Sequence, residues 1–124
     1  MKVIDIIKKK NEEIVSTTAD CHVSEALNLL YQHRISALIV LEEENLIGII
    51  TDNDIRDYKQ GMYMPAETKV SEIMNPNIIV ALPDDDVNYA MGIMTNNKIN
   101  HLPIMGKNGI IGIITLSDLR DSVF

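Results

Sequence analysis

Cysteine is almost missing from this 124-residue chain: Cys21 stands alone. A single thiol closes no internal disulfide, so a reducing cytoplasm is the natural setting. Net positive charge is missing too. The formal charge is -7 at pH 7, and phosphate backbones demand a basic face, so no nucleic-acid partner is expected. The one dense positive cluster, Lys8-Lys9-Lys10, runs straight into Glu12 and Glu13 and reads as the solvated end of a helix. No apolar run reaches the length of a membrane helix, and the opening MKVIDIIKKK has neither the apolar stretch nor the cleavage site of a signal peptide. A soluble, cytoplasmic chain with no membrane partner is therefore expected. Core material is plentiful: 46% of residues are hydrophobic, in a length that suits one domain.

The most informative feature is a duplication. GIITDND (Gly48–Asp54) returns as GIITLSD (Gly112–Asp118) after a shift of 64 residues. The same shift places Val23 on Val87, Ala26 on Ala90, Ile35 on Ile99 and Leu38 on Leu102, with no gap from Ile14/Ile78 onward and roughly a third of pairs identical. Farther upstream, VIDII (Val3–Ile7) meets VSEIM (Val70–Met74) once copy two is shortened by three residues. The expected organisation is a first repeat over 1–60, a linker over 61–68 (GMYMPAET) and a second repeat over 69–124.

Both copies read alike. Val23, Ala26, Leu27 and Leu30 fall at helical spacing behind Asp20 as a start signal; Val87, Ala90, Met91 and Met94 follow PDDD (Pro83–Asp86). Those three carboxylates complement a helix dipole more simply than they make a metal site. Next come two apolar runs joined by a polar turn, SALIVL–EEEN–LIGII (Ser36–Ile50) and HLPIM–GKNG–IIGII (His101–Ile114), which predict hairpins. Short helices follow at Asp54–Tyr58 and Asp118–Ser122. One copy of this length buries too little apolar surface to stand comfortably alone. The predicted fold is α/β (α+β), two small sheets with flanking helices packed about a pseudo-twofold axis, with Met74, Met91, Met94 and Met105 as adaptable filler.

The repeated phrase has two physical readings. Thr51 and Thr115 end a strand, and Asp54 and Asp118 lie three residues on, where a helix starts. That is the shape of a capping box, which accounts for Thr-x-x-Asp with no ligand. Gly48 and Gly112 ask for a bulge or a close approach to the backbone. The same atoms also suit a ligand, since a helix N-terminus favours an anion, a hydroxyl donates to phosphate and an aspartate accepts from ribose hydroxyls. On chemistry alone the two readings stand level.

A tandem unit of helix, ISAL or INHLP, hairpin and G-h-h-T-x-x-D (h apolar) resembles the CBS domain, named for cystathionine β-synthase and found also in IMP dehydrogenase and AMP-activated kinase. The resemblance covers residues 3–124 and is nearest to stand-alone CBS pairs, through HLP in copy two and EIM at Glu72–Met74. It implies a regulatory module that binds AMP, ADP, ATP, NAD(H) or S-adenosylmethionine in two clefts, each built from both copies. One cleft would combine Ile113, Thr115, Ser117 and Asp118 with Val15, Ile35, Ser36 and Ala37. The other would combine Ile49, Thr51, Asn53 and Asp54 with Ile79, Ile99, Asn100 and His101. By the same resemblance, Asp118 and Asp54 would hold ribose hydroxyls, with Thr115 and Thr51 near ribose or phosphate. Val15 and Ile79 would offer backbone groups to adenine, the four isoleucines at 35, 99, 113 and 49 would sandwich it, and His101 would point toward phosphates.

The chain departs from the family pattern at Asn53 and Asn100, where many relatives have arginine, which weakens the case for a highly charged ligand. Ile39 replaces the proline usual in copy one. The Thr115/Asp118 cleft is expected to be the better nucleotide site, because Ser36 and Ser117 add neutral donors without acid. No catalytic constellation is present: His22, His33 and His101 are scattered, Cys21-His22 lacks zinc spacing, and neither cleft supplies a general base with a reacting partner. A non-enzymatic adenylate sensor is expected, with a ligand-free interaction scaffold as the alternative. A homodimer fits both, through a seam of Ile55, Tyr58, Leu119, Val123 and Phe124, as does an unidentified regulated protein.

Overall fold

The computed structural model describes residues 1–59 and 67–123. In chain order its elements are α1 (Val3–Lys10), β1 (Ser16–Thr18), α2 (Val23–His33), β2 (Ala37–Glu42), β3 (Asn45–Thr51), α3 (Asp52–Lys59), α4 (Val70–Ile73), α5 (Val87–Asn97), β4 (His101–Gly106), β5 (Gly109–Thr115) and α6 (Leu116–Val123). The mixed α/β class read from the repeats is the class adopted, with both hairpins and the helices that follow them in place. The chain divides into two compact units that cut across the repeats. One is continuous, Val15–Ile78; the other joins Met1–Ile14 to the chain from Ile79 onward.

In the continuous unit, β2 and β3 pair antiparallel from Ala37↔Thr51 to Glu42↔Asn45. A short strand that periodicity did not reveal, β1, runs parallel to β2 with Thr17 opposite Val40. Three residues are too few to carry an alternation signal. Val23, Ala26 and Leu30 of α2 bury their stripe against Leu38, Val40, Ile50, Ile55 and Val70. Helix α2 ends where Arg34 turns left-handed at φ 55°. Its start differs from expectation. The N-cap is His22, with no side-chain cap, while Asp20 faces the exposed Lys69 at 3.7 Å.

In the other unit, β4 and β5 pair from His101↔Thr115 to Gly106↔Gly109, and Ala81 makes a single parallel bridge to Ile104 as the counterpart of β1. Of the PDDD carboxylates, Asp86 caps α5 by accepting from the Asn88 N–H at 2.8 Å, and Asp85 accepts from the Leu82 N–H at 2.8 Å. The core comprises Val87, Ala90, Met94, Leu102, Ile104, Ile114 and Leu119, together with Val3 and Ile6 of α1. Met94 is fully buried, while Met74 and Met91 pack at the margins of the two cores.

The division arises because each hairpin receives the leading helix of the other repeat. Lys2 bridges Asp86 just ahead of α5, and Lys69 bridges His22 just ahead of α2. The backbone joins are equivalent. Val3 N–H donates to Asp85 O and Val87 N–H to Met1 O, as Val70 N–H donates to Cys21 O and Val23 N–H to Thr68 O, at 2.8–3.1 Å. The helix starts match too: Asp5 accepts from the Lys2 N–H at 3.0 Å and Glu72 from the Lys69 N–H at 2.7 Å. Of the expected linker, residues 61–66 lie outside the described residues.

Two residues expected at a dimer seam are spent elsewhere. Ile55 and Leu119 are buried in the cores of their own units, because the helices after each hairpin need an apolar residue to dock on their sheet. Tyr58 is half-buried. The side chain of Val123, and Phe124, lie outside the described residues.

Candidate functional site

Both strand-to-helix corners form the capping box. Asp54 N–H donates to Thr51 Oγ1 at 3.1 Å and Thr51 N–H donates to Asp54 Oδ2 at 3.0 Å. At the other corner Asp118 N–H donates to Thr115 Oγ1 at 3.1 Å and Thr115 N–H to Asp118 Oδ2 at 2.8 Å. The exchange satisfies donors that a helix start leaves unpaired. The glycines also find a structural cause. A Cβ at position 48 would lie 2.5 Å from the Met74 sulphur, and one at position 112 would lie 2.6 Å from Ile7 Cδ1. Met74 and Ile7 are the aligned ends of VSEIM and VIDII, so in both units the close approach comes from the exchanged leading segment.

The phrase is thus a joint in both places. The joint leaves room for a grip, since each cap uses only Oδ2 and no described residue donates to the Oδ1 of Asp54 or Asp118. Each corner also collects the start of its own hairpin. Ala37 lies opposite Thr51 and the Asp52 N–H donates to Ser36 O at 3.0 Å; His101 lies opposite Thr115 and the Leu116 N–H donates to Asn100 O at 3.2 Å.

The residues expected in each cleft come from both units. Ile113, Thr115, Ser117 and Asp118 share a unit with Ile79, Ile99, Asn100 and His101, whereas Ile49, Thr51, Asn53 and Asp54 share one with Val15, Ile35, Ser36 and Ala37. Asn53, Asn100 and Ser117 are exposed, and Ser36 and His101 are half-buried. Val15, Ile35, Ile79 and Ile99 pack at the core margins.

The corners differ in one respect that the sequence reading missed. Lys10 is not part of a solvated run: its ammonium donates to Asp118 Oδ2 at 2.8 Å and to Ile113 O at 2.9 Å, with Glu12 3.6 Å away. The Lys10 and Asp118 side chains are only 18% and 23% exposed, while Lys8 and Lys9 face solvent. Burial pushes the Asp118 carboxyl up, but the hydrogen bonds from Lys10 and the Thr115 amide outweigh it and hold the group below the ordinary aspartate value. In the other unit the aligned carbonyl, Ile49 O, takes the Asn75 N–H at 2.8 Å, and Asp54 has no cationic partner among the described residues. A signal for Lys10 did exist. Val3, Ile6, Ile7 and Lys10 fall at i, i+3, i+4 and i+7, so the lysine occupies the buried stripe of α1.

Cys21 offers no activated nucleophile. Burial raises its thiol, and Glu25, whose carboxylate lies 3.2 Å from Sγ, adds to the rise, so it stays protonated at neutral pH. Among the described residues no helix is long and apolar enough to cross a membrane.

Two hairpins, each followed by a capped helix and each served by the other copy's leading segment, define a tandem α/β repeat, and the family match agrees. The CBS domain family model matches residues 3–61 and 70–124, and the chain belongs to the CBS-domain family. It is similar to the CBS domain-containing protein YhcV of Bacillus subtilis, at 30% identity over 86% of this chain and 76% of that protein. Among solved structures it is similar to a protein with CBS domains from Burkholderia ambifaria, at 27% identity and a TM-score of 0.92 over 100% of this chain and 94% of that one. It is also similar to the CBS domain pair of protein MJ0100 in complex with 5′-methylthioadenosine and S-adenosyl-L-methionine, at 26% identity and a TM-score of 0.86 over 99% and 95% of the two chains.

Proposed function

We propose that this chain is a non-catalytic regulatory module whose strand-to-helix corners bind an adenosine-containing ligand. The observation that carries the reading is the likeness to the MJ0100 pair, which holds two adenosine compounds and matches this chain over nearly its full length. The corners supply the chemistry such a ligand asks for. A carboxylate held rigidly by its own helix cap keeps one oxygen for a ribose hydroxyl, and a positioned acceptor loses little entropy on binding. Residues proposed to surround the ligand remain those named from the family pattern, with Asp118 and Asp54 as ribose acceptors. Regulation follows if the ligand binds one conformation better than another.

The test is thermal melting of the full chain with AMP, ADP, ATP, NADH and S-adenosylmethionine added singly. At least one raises the midpoint by linkage, and Asp118→Asn, which retains an acceptor for the cap, weakens that response. No shift with any of them at millimolar concentration would leave the scaffold reading, which the two completed capping boxes favour. A homodimer belongs to this proposal through the family alone, now that Ile55 and Leu119 are buried within their units; light scattering at twice the chain mass would support it.

A further inference from the structure

We propose that Lys10 makes the Thr115/Asp118 corner selective for an adenosine ligand that carries a phosphate. The inference rests on the reading of that corner as an adenosine site, and it names the ligand class the corner takes. An ammonium has three donors. Two are spent at hydrogen-bond distance, on Asp118 Oδ2 and Ile113 O, and among the described residues the third faces only Glu12, an exposed side chain at 3.6 Å. A phosphate oxygen is a better partner for that third donor than a distant solvated carboxylate.

The charge around each aspartate points the same way. Lys10 brings a cation directly onto Asp118, with Glu12 the further acid 3.6 Å from the ammonium, and the position aligned with Asp52 is Leu116. At the other corner Asp52 and Asp54 both open α3, with Arg56 reaching Asp52 alone at 3.4 Å. What differs is where the cation lies: Asp118 has an ammonium at 2.8 Å, whereas Asp54 has no cationic partner among the described residues. That lysine comes from a leading segment three residues longer than its counterpart.

Calorimetric titration of the full chain with AMP and with adenosine tests this, alongside Lys10→Met and Lys10→Arg. The expected result is AMP bound about tenfold or more tightly than adenosine by the wild type, as one charge-assisted hydrogen bond supplies. That preference, read as the ratio of the two affinities in each variant, should disappear in Lys10→Met and persist in Lys10→Arg. Circular dichroism melts of both variants without ligand establish that they fold. Equal affinity of the wild type for the two ligands, or a preference that survives Lys10→Met, overturns the inference and leaves the adenosine site standing. Failure of both ligands to bind overturns the two together.

Discussion

Ile7 occupies the space that a side chain at Gly112 would need: its Cδ1 lies 2.6 Å from the point where a Cβ would be built. Ile7 belongs to the leading segment of repeat one and Gly112 to the last strand of repeat two. The contact explains why glycine recurs at that place in the phrase, and it has a mirror in Met74 and Gly48.

Gly112→Ala should therefore destabilise the protein by about 1–2 kcal/mol through overpacking, measured by urea unfolding. Ile7→Val, which removes the clashing Cδ1, should recover part of that loss in the double variant although it is destabilising alone. Gly48→Ala should cost more than Gly112→Ala. There the added Cβ meets the mid-chain sulphur and Cγ of Met74 and also the Asn75 carbonyl at 3.3 Å, a backbone group already bonded to the Ile49 N–H. The reverse order would show that the strand edge at Ile49 yields easily.

The two caps should differ in worth. Asp54→Ala removes a capping acid and should cost about 1 kcal/mol, in the ordinary range for a cap. Asp118→Ala removes the same bond and also strands the ammonium of Lys10, whose side chain is 18% exposed, so about 2 kcal/mol is expected. Lys10→Met combined with Asp118→Ala should lose less than the two single changes added together. Strict additivity in that cycle would mean that the pair at 2.8 Å contributes nothing to stability.

Acid should reveal the same pair. The Asp118 carboxyl titrates below the ordinary aspartate value in the folded protein, so below about pH 4 the unfolded chain binds the proton first. Stability from this group is thus fully present above that range and declines as pH falls through the folded value. The stability gap between wild type and Lys10→Met, measured by thermal melts from about pH 6 downward, should narrow below about pH 4. A gap that stays constant into that range would assign the effect of Lys10 to packing of its methylenes rather than to charge.

Much of this molecule was readable without coordinates. The stripes Val23–Ala26–Leu30 and Val87–Ala90–Met94 gave two helices, and the apolar runs on either side of EEEN and GKNG gave two hairpins, because both signals depend on neighbours a few residues apart. The capping boxes were legible for the same reason, since Thr51 and Asp54, or Thr115 and Asp118, are three residues from one another. Strand β1 was too short to show a period. Two residues of the expected seam were misplaced because an apolar residue on a short helix looks identical whether it faces its own sheet or another chain, and Ile55 and Leu119 face their own.

What the sequence determined by itself was the repeat, its elements and the residues that make each corner, all through local periodicity and capping chemistry. What only the tertiary structure decided was which hairpin each leading helix serves, and hence that Lys10 meets Asp118. Both hairpins offer a glycine socket and both leading segments carry a long apolar side chain at the aligned position, Ile7 or Met74, so the letters fit either pairing. The choice lies in contacts between residues about a hundred positions apart, such as Ile7 with Gly112 and Lys10 with Ile113. No local pattern encodes these, because their energy exists only once both partners have been brought together and desolvated.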